Sequence, residues 1–280
     1  MLSAPYISLV SSSEQVLQEM FDEITIRFGQ ALAKIAPARG AIVTSLAIGG
    51  KEVLYLDRET FRDPTKNVRG GIPVLFPFAG KLTDGIFKVA GTKMMQHGFG
   101  RNLPWQVVEH RPELIRMALL SGKETLSQYP YKFVAEESAM ILPNGLQLEL
   151  LVCNMDTQPL AVSPGWHPYF LCPADQKEKI TTNVPALDIS RFTNDKEFDF
   201  GVTAPQNGRA DFRIPGLGRI ELSFNPRMRH LQFWSQPGKG FVCIEPFTGP
   251  NNTLNTEKRI DIPHGEARTV WTRIEILPGV

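Results

Sequence analysis

An all-β chain of antiparallel strands is what the sequence predicts, and three observations predict it. Glycine and proline, 23 and 22 of 280 residues, punctuate the whole length, which disfavours long helices and favours short strands joined by turns. Between them run segments in which apolar and polar residues alternate. In LQLELLVCNM, Leu146, Leu148, Leu150 and Val152 would share one face while Gln147 and Glu149 take the other. No strand–helix–strand rhythm recurs and no composition break divides the chain, so residues 1–280 read as one antiparallel domain. Periodicity alone leaves a barrel and a two-sheet sandwich both open.

Taken in order, residues 14–35 are ambiguous: one or two helical turns fit the start, while ITIRFGQALAKIAP alternates well enough for a strand. ARGAIVTSLAIGGKEVLYLD follows as strand-like runs split by a hairpin turn at Gly49-Gly50. From Phe61 to Lys93 the prolines and glycines leave no room for a helix, and turns at Asp84-Gly85 and Ala90-Gly91 bracket a short strand, IFKV. From Trp105 the pattern becomes regular. WQVVEH, ELIRMALL, YKFVAEESAMIL and LQLELLVCNM are successive strands, with turns at Ser121-Gly122 and Asn144-Gly145. The second half continues through KITTNVPALDIS, FRIPG, RIELSF, HLQFWSQ, FVCIEPF and RTVWTRIEIL. Phe76, Phe78, Phe87, Phe99 and Phe133 are expected in the core, with at most one ring lining a cleft.

The composition excludes several classes. Lys and Arg number 30 against 29 Asp and Glu, so no long-range field exists to hold a nucleic-acid backbone, although one or two arginines suffice for a small anion. No apolar run reaches the roughly 18–20 residues that span a bilayer, and MLSAPYISLVSSSEQVL lacks the layout of a signal peptide. Cys153, Cys172 and Cys243 are too few and scattered for a disulfide scaffold or a paired metal motif. A cytoplasmic protein with no membrane partner, no cofactor and no metal is the expectation. The five histidines form no zinc pattern, and phosphate-loop, dinucleotide and nucleophile-elbow motifs are missing.

Four segments place ionisable side chains among turn-forming or aromatic neighbours. RGGIPVLFP offers Arg69 beside two glycines that let backbone approach a ligand. QHGFGRN packs Gln96, His97, Arg101 and Asn102 into a tight loop. In SPGWHPYF, His167 stands between Trp166 and Pro168-Tyr169, on backbone stiffened by two prolines. In FVCIE, Phe241, Cys243 and Glu245 share a face and Pro246 is expected to end the strand, leaving Glu245 at an apolar mouth where desolvation raises a carboxyl pKa. One histidine and one carboxylate suit proton shuttling between two oxygens. His110, His230 and His264 carry no such context and are expected to be structural.

As an ordered set, RGGIPVLFPFAGKLTDG, QHGFGRN, HPYF and CIEPFTGPNN resemble the aldose 1-epimerase (galactose mutarotase-like) superfamily over roughly residues 35–275, in particular its bacterial and hexose-6-phosphate mutarotase-like branches. The resemblance implies a large antiparallel β-supersandwich that interconverts the α and β anomers of an aldose. It implies His167 as the general acid at the ring oxygen, Glu245 as the base at the C1 hydroxyl, and His97 as a second histidine holding the ring. Arg69, Gln96, Arg101 and Trp166 become substrate contacts. The family's further acidic sugar contact is best matched by Asp199, with Asp195 and Glu197 as rivals. A free aldose is the expected substrate; a hexose 6-phosphate, or a non-catalytic carbohydrate-binding protein of the same fold, are the alternatives. The implied partner is a monosaccharide or sugar phosphate, on a monomer or weak homodimer.

Overall fold

The structure, a computed structural model, describes residues 20–185 and 187–277, so the helical turns considered before residue 20 lie outside the described residues. ITIRFGQALAKIAP forms a hairpin in place of one strand: Ile24–Phe28 pairs with Ala31–Ala36 across a turn at Gly29, whose φ of 57° suits a glycine. Ile42–Ile48 and Lys51–Glu52 complete this four-stranded sheet, with Gly49-Gly50 as the expected turn between them.

A second, eight-stranded antiparallel sheet runs in the order Thr181–Thr182, Arg209–Ile214, Gly218–Phe224, Ala267–Leu277, Gly145–Asn154, Phe133–Leu142, Leu114–Leu120 and Gln106–Arg111. Its alternation is the predicted one, with Leu146, Leu148 and Leu150 wholly buried and Val152 nearly so. The third sheet carries Phe198–Thr203, His230–Ser235 and Phe241–Phe247. The last of these pairs on its far side with Gly165–Trp166 and Tyr169–Leu171, and Gly165–Trp166 reaches Val74–Leu75. Leu148 and Leu150 of the large sheet belong to the same apolar core as Trp166, Phe170, Leu231, Phe233 and Ile244 of the third. Both sheets end in free edge strands, so the layers form a sandwich and not a closed barrel. The five phenylalanines named above are all at most 2% exposed.

Three local expectations give way to stronger local chemistry. A short helix, Arg58–Arg62, forms where none was expected, because the Asp57 carboxylate accepts from the Glu59 and Thr60 N–H groups. KITTNVPALDIS keeps only Thr181–Thr182 as strand. Asp188 accepts from Ser190 N–H and caps a 3-10 element, Ile189–Arg191, at the end of that segment. Pro246 does not end its strand, which continues to Phe247; the neighbouring strand is itself broken at His167-Pro168, so the ladder is interrupted there already. Among the described residues no helix is long and apolar enough to cross a membrane.

Candidate active site

Register puts His167 and Glu245 together. Phe241–Phe247 pairs Cys243 with Tyr169 and Phe247 with Gly165, which leaves Glu245 directly opposite His167. On its other side Glu245 is opposite Gln232 and Cys243 opposite Trp234; beyond them Asp199 pairs with Trp234 and Gly201 with Gln232. Because side chains alternate, Asp199, Gln232, Trp234, Glu245, His167 and Tyr169 all rise from one face of the third sheet. They line a cleft of about 250 Å³, rimmed by Arg69, Lys81, Gln96, His97, Arg101 and Phe247. That volume lies just below the usual 300–1,000 Å³ or so of drug-sized pockets, a scale for a small molecule.

His167 Nε2 lies 3.4 Å from Glu245 Oε2, and the two side chains are almost wholly buried. Neither His167 Nδ1 nor Glu245 Oε2 has a hydrogen-bond partner among the described residues. The imidazole stacks on Tyr169 at 4.7 Å and meets Trp234 edge-on at 6.0 Å, which fixes its plane. Burial, reinforced by the Asp199 charge, pushes the Glu245 carboxyl well above its ordinary range, against the pull of Arg101. Burial and then Arg101 hold His167 well below its own. Desolvation therefore favours a neutral pair, carboxylic acid beside free imidazole.

His97 is set by the QHGFGRN loop, in which it adopts a φ of 70° and Gly98 one of 67°. A Cβ on Gly98 would meet the Phe76 carbonyl oxygen at 2.4 Å, so this turn requires glycine. His97 N–H donates to the Gly80 carbonyl, and Gly80 N–H donates back to His97 Nδ1 at 2.9 Å. An accepting Nδ1 leaves the hydrogen of the neutral ring on Nε2. The Gln96 amide lies 3.1 Å from Nε2 and accepts there through its oxygen, the assignment this tautomer requires. Burial first, then Arg101, His167 and Lys81, keeps His97 well below its usual pKa. It is a fixed hydrogen-bond donor, not a proton acceptor.

The arginines converge on the same space. Arg69 lies over the Trp234 ring, 5.0 Å from its centroid, and its backbone is tied to the Arg58–Arg62 helix through Thr60 Oγ1. Arg101 donates to the Gln96 carbonyl at 3.1 Å, while its buried Nε has no partner among the described residues. Asp199 accepts from Gln232 and lies 3.9 Å from the Lys81 ammonium. Of its rivals, Glu197 also lines the cleft but is engaged by Trp234 Nε1–H at 2.7 Å, and Asp195 is not part of the lining.

Trp166 is a correction. It is 0% exposed and faces the core, because the alternation that lifts His167 into the cleft sends its neighbour to the opposite face. Its Nε1–H donates to Glu137 Oε1 at 2.9 Å, bridging the two large sheets. Trp166→Phe should therefore destabilise the fold by about 1–3 kcal/mol, by leaving the buried Glu137 carboxyl unbonded, while sugar affinity stays unchanged. Urea denaturation and a sugar titration on the same sample check both halves. The tryptophan of the cleft is Trp234, and His230, read as having no chemical context, hydrogen-bonds to Gln232 at 2.9 Å. The alternation of HLQFWSQ, with His230, Gln232, Trp234 and Gln236 in one parity, was the signal for both.

His167, Cys243 and Glu245 bring nitrogen, sulfur and oxygen donors within 4.8 Å of one another. Burial and the Glu245 carboxyl push the Cys243 thiol well above its ordinary range. The charges of Arg69 and Arg101 also reach His167, which opposes a dication beside it. The cluster suits proton transfer.

Similarity to known proteins agrees with this geometry. The aldose 1-epimerase family model matches residues 22–275. A crystallographically determined protein of Synechocystis sp. PCC 6803 is 32% identical, with a TM-score of 0.83 over 91% of this chain and 95% of its own. A galactose mutarotase related enzyme of Lactobacillus acidophilus, 20% identical, shares the fold with a TM-score of 0.76 over 92% of this chain and 98% of its own. An Escherichia coli protein provisionally named a glucose-6-phosphate 1-epimerase is 31% identical over 138 residues, 46% of this chain and 43% of that protein. One of Cenchrus ciliaris with the same provisional name is 25% identical over 182 residues, 60% of this chain and 51% of that protein. The chain thus spans about half the length of the curated relatives it matches. With the family model covering nearly all the described residues and every cleft residue from Asn67 to Asn251, the chain belongs to the aldose 1-epimerase family.

Proposed function

We propose that the protein interconverts the anomers of a hexose 6-phosphate, with His167 and Glu245 as the acid–base pair. The observation that carries the reading is the buried His167–Glu245 pair together with Arg69 and Arg101 in one cleft, Arg101 having a buried Nε without a partner among the described residues. Two planar guanidiniums match a phosphate dianion better than they match neutral hydroxyls. The names of the Escherichia coli and Cenchrus ciliaris relatives favour the same substrate class over the free aldose expected from the sequence.

The proton of the neutral Glu245 carboxyl is enough for the chemistry. Its transfer from Glu245 to His167, 3.4 Å away, turns the neutral pair into a carboxylate and an imidazolium. The carboxylate removes the proton from the C1 hydroxyl as the imidazolium protonates the ring oxygen. The C1–O5 bond breaks and C1 becomes an aldehyde. Rotation about C1–C2 presents the other face of the carbonyl. Return of both protons closes the ring as the other anomer, with no net change in atoms or charge. His97, its Nε2–H held by Gln96 and its ring 5.5 Å from that of His167, fixes the wall of the cleft beside the proposed acid.

Two-dimensional exchange NMR on equilibrated glucose and glucose 6-phosphate tests the reading. Exchange above the spontaneous rate is expected for both, and faster for the phosphate. Arg69→Gln or Arg101→Gln should reduce kcat/KM for glucose 6-phosphate by about 10–100-fold, the worth of one charge-assisted contact, and reduce it much less for glucose. Equal losses for the two sugars would remove the phosphate assignment. Binding without accelerated exchange would leave a carbohydrate-binding protein.

A further inference from the structure

A polar chain runs from behind the cleft to its wall: Gln232 and Asp199 line the cleft, and His230 stands behind them. His230 Nε2 lies 2.9 Å from Gln232 Oε1, and Gln232 Nε2–H donates to Asp199 Oδ1. The polarity of this chain is fixed throughout. A carboxylate can only accept, so the Gln232 amide must turn its NH2 to Asp199 and its oxygen to His230, and His230 must carry hydrogen on Nε2. The Asp199 oxygen left over, Oδ2, is the one near Lys81 at the cleft.

The packing around His230 looks built for this bond. The ring lies flat against Phe247, 6.1 Å between centroids and 30° from parallel. On the neighbouring strand, Gly201 is opposite Gln232, and a Cβ there would meet His230 Nε2 at 2.2 Å and Gln232 Oε1 at 2.6 Å. Gly201 has no positive φ, so its lack of a side chain is a matter of space and not of backbone conformation. The missing methyl is the room in which the His230–Gln232 bond forms.

We propose that His230 is a positioning residue that acts through Gln232 to hold Asp199 with its other carboxylate oxygen, the one beside Lys81, facing the sugar. Gln232 is also the cross-strand neighbour of Glu245, so the same chain keeps the Asp199 charge at a set distance from the proposed base. The inference rests on the proposed reading of the cleft as a sugar site and adds a residue outside its lining.

Three variants test it. His230→Phe keeps a ring against Phe247 but has no donor, His230→Gln returns a donor to the same place, and Gly201→Ala pushes the bond apart from the neighbouring strand. KM and kcat for glucose 6-phosphate come from exchange NMR, affinity from a titration, and the orientation of Gln232 from its side-chain amide proton signals in sugar-free protein. His230→Phe and Gly201→Ala should each raise KM and weaken affinity roughly three- to ten-fold, the loss of one hydrogen bond's ordering, with kcat nearly unchanged. The two Gln232 amide protons, separate and slow to exchange in the wild type, should converge and exchange quickly. His230→Gln should recover most of each effect. Wild-type KM and unmoved amide signals in His230→Phe would overturn the proposal, as would a His230→Gln variant as impaired as His230→Phe, which would indicate packing alone. Gly201→Ala breaks the bond by displacing the His230 ring without replacing the residue, so a His230→Phe chain that fails to fold does not remove the test. A wild type that binds sugar phosphate without exchanging its anomers would overturn the proposed activity, while affinity and amide signals still decide the role of His230.

Discussion

Glu245→Gln is expected to lower anomeric exchange of glucose 6-phosphate by about 10²–10⁴-fold, the usual worth of a positioned general acid or base. The amide matches the carboxyl in shape, so Gln232, Cys243 and His167 need not move, and a titration should show sugar phosphate binding close to that of the wild type. What is lost is the proton. An amide neither supplies one to His167, 3.4 Å away, nor takes one from the C1 hydroxyl. His167→Gln should fall by a similar factor, and the double variant should be little worse than either single one, because the two groups share one proton and act as a unit. Full additivity would mean two independent contributions, and a Glu245→Gln variant with wild-type exchange would remove Glu245 from the chemistry altogether. Double loss with binding preserved also separates an enzyme from a sugar-binding protein on the same fold.

Much of this site could be read from the sequence because period-2 alternation is a face assignment. FVCIEPF placed Cys243 and Glu245 together, and both rise from the face that carries His167. The same rule, applied to WHP, would have sent Trp166 to the core opposite His167; its adjacency to a reactive residue was mistaken for proximity to the ligand. His97 was legible as a residue of a tight glycine loop, but its tautomer was not, since that depends on Gly80, 17 residues away. The His230–Gln232–Asp199 chain was hidden for the same reason. It is made between strands whose register no local pattern reveals, and its enabling residue is the missing side chain of Gly201. Capping chemistry explains the local misses: Asp57 and Asp188 each draw nearby N–H groups into a turn of helix that strand propensity did not anticipate.

The buried carboxyl of Glu137 should make the stability of the fold fall as pH rises. Glu137 is 0% exposed in the inward stripe of Phe133–Leu142, between Ala135 and Ala139, and its Oε2 has no partner among the described residues. Burial pushes its carboxyl from 4.5 to about 8, opposed only by the Trp166 hydrogen bond. Between those values the folded chain holds a proton that the unfolded chain has released. Stability is therefore greatest below about pH 4.5 as far as this group is concerned, declines through the interval, and levels off above about pH 8. The displacement corresponds to about 5 kcal/mol, large against the stability of an ordinary domain. Glu137→Gln keeps an oxygen for Trp166 Nε1–H and carries no charge at any pH. Urea denaturation at pH 5, 7 and 9 should find variant and wild type nearly equal at the first and the variant several kcal/mol more stable at the last. A gap that does not change with pH would show that Glu137 stays in one protonation state, and would place its effect in packing. Removing the acceptor as well, with Glu137→Leu, separates the charge from the bond. Trp166 precedes His167 in the strand that Glu137 anchors, so a variant that is stable at pH 9 yet slow in anomeric exchange would show that the bond between the sheets holds the proposed acid in register.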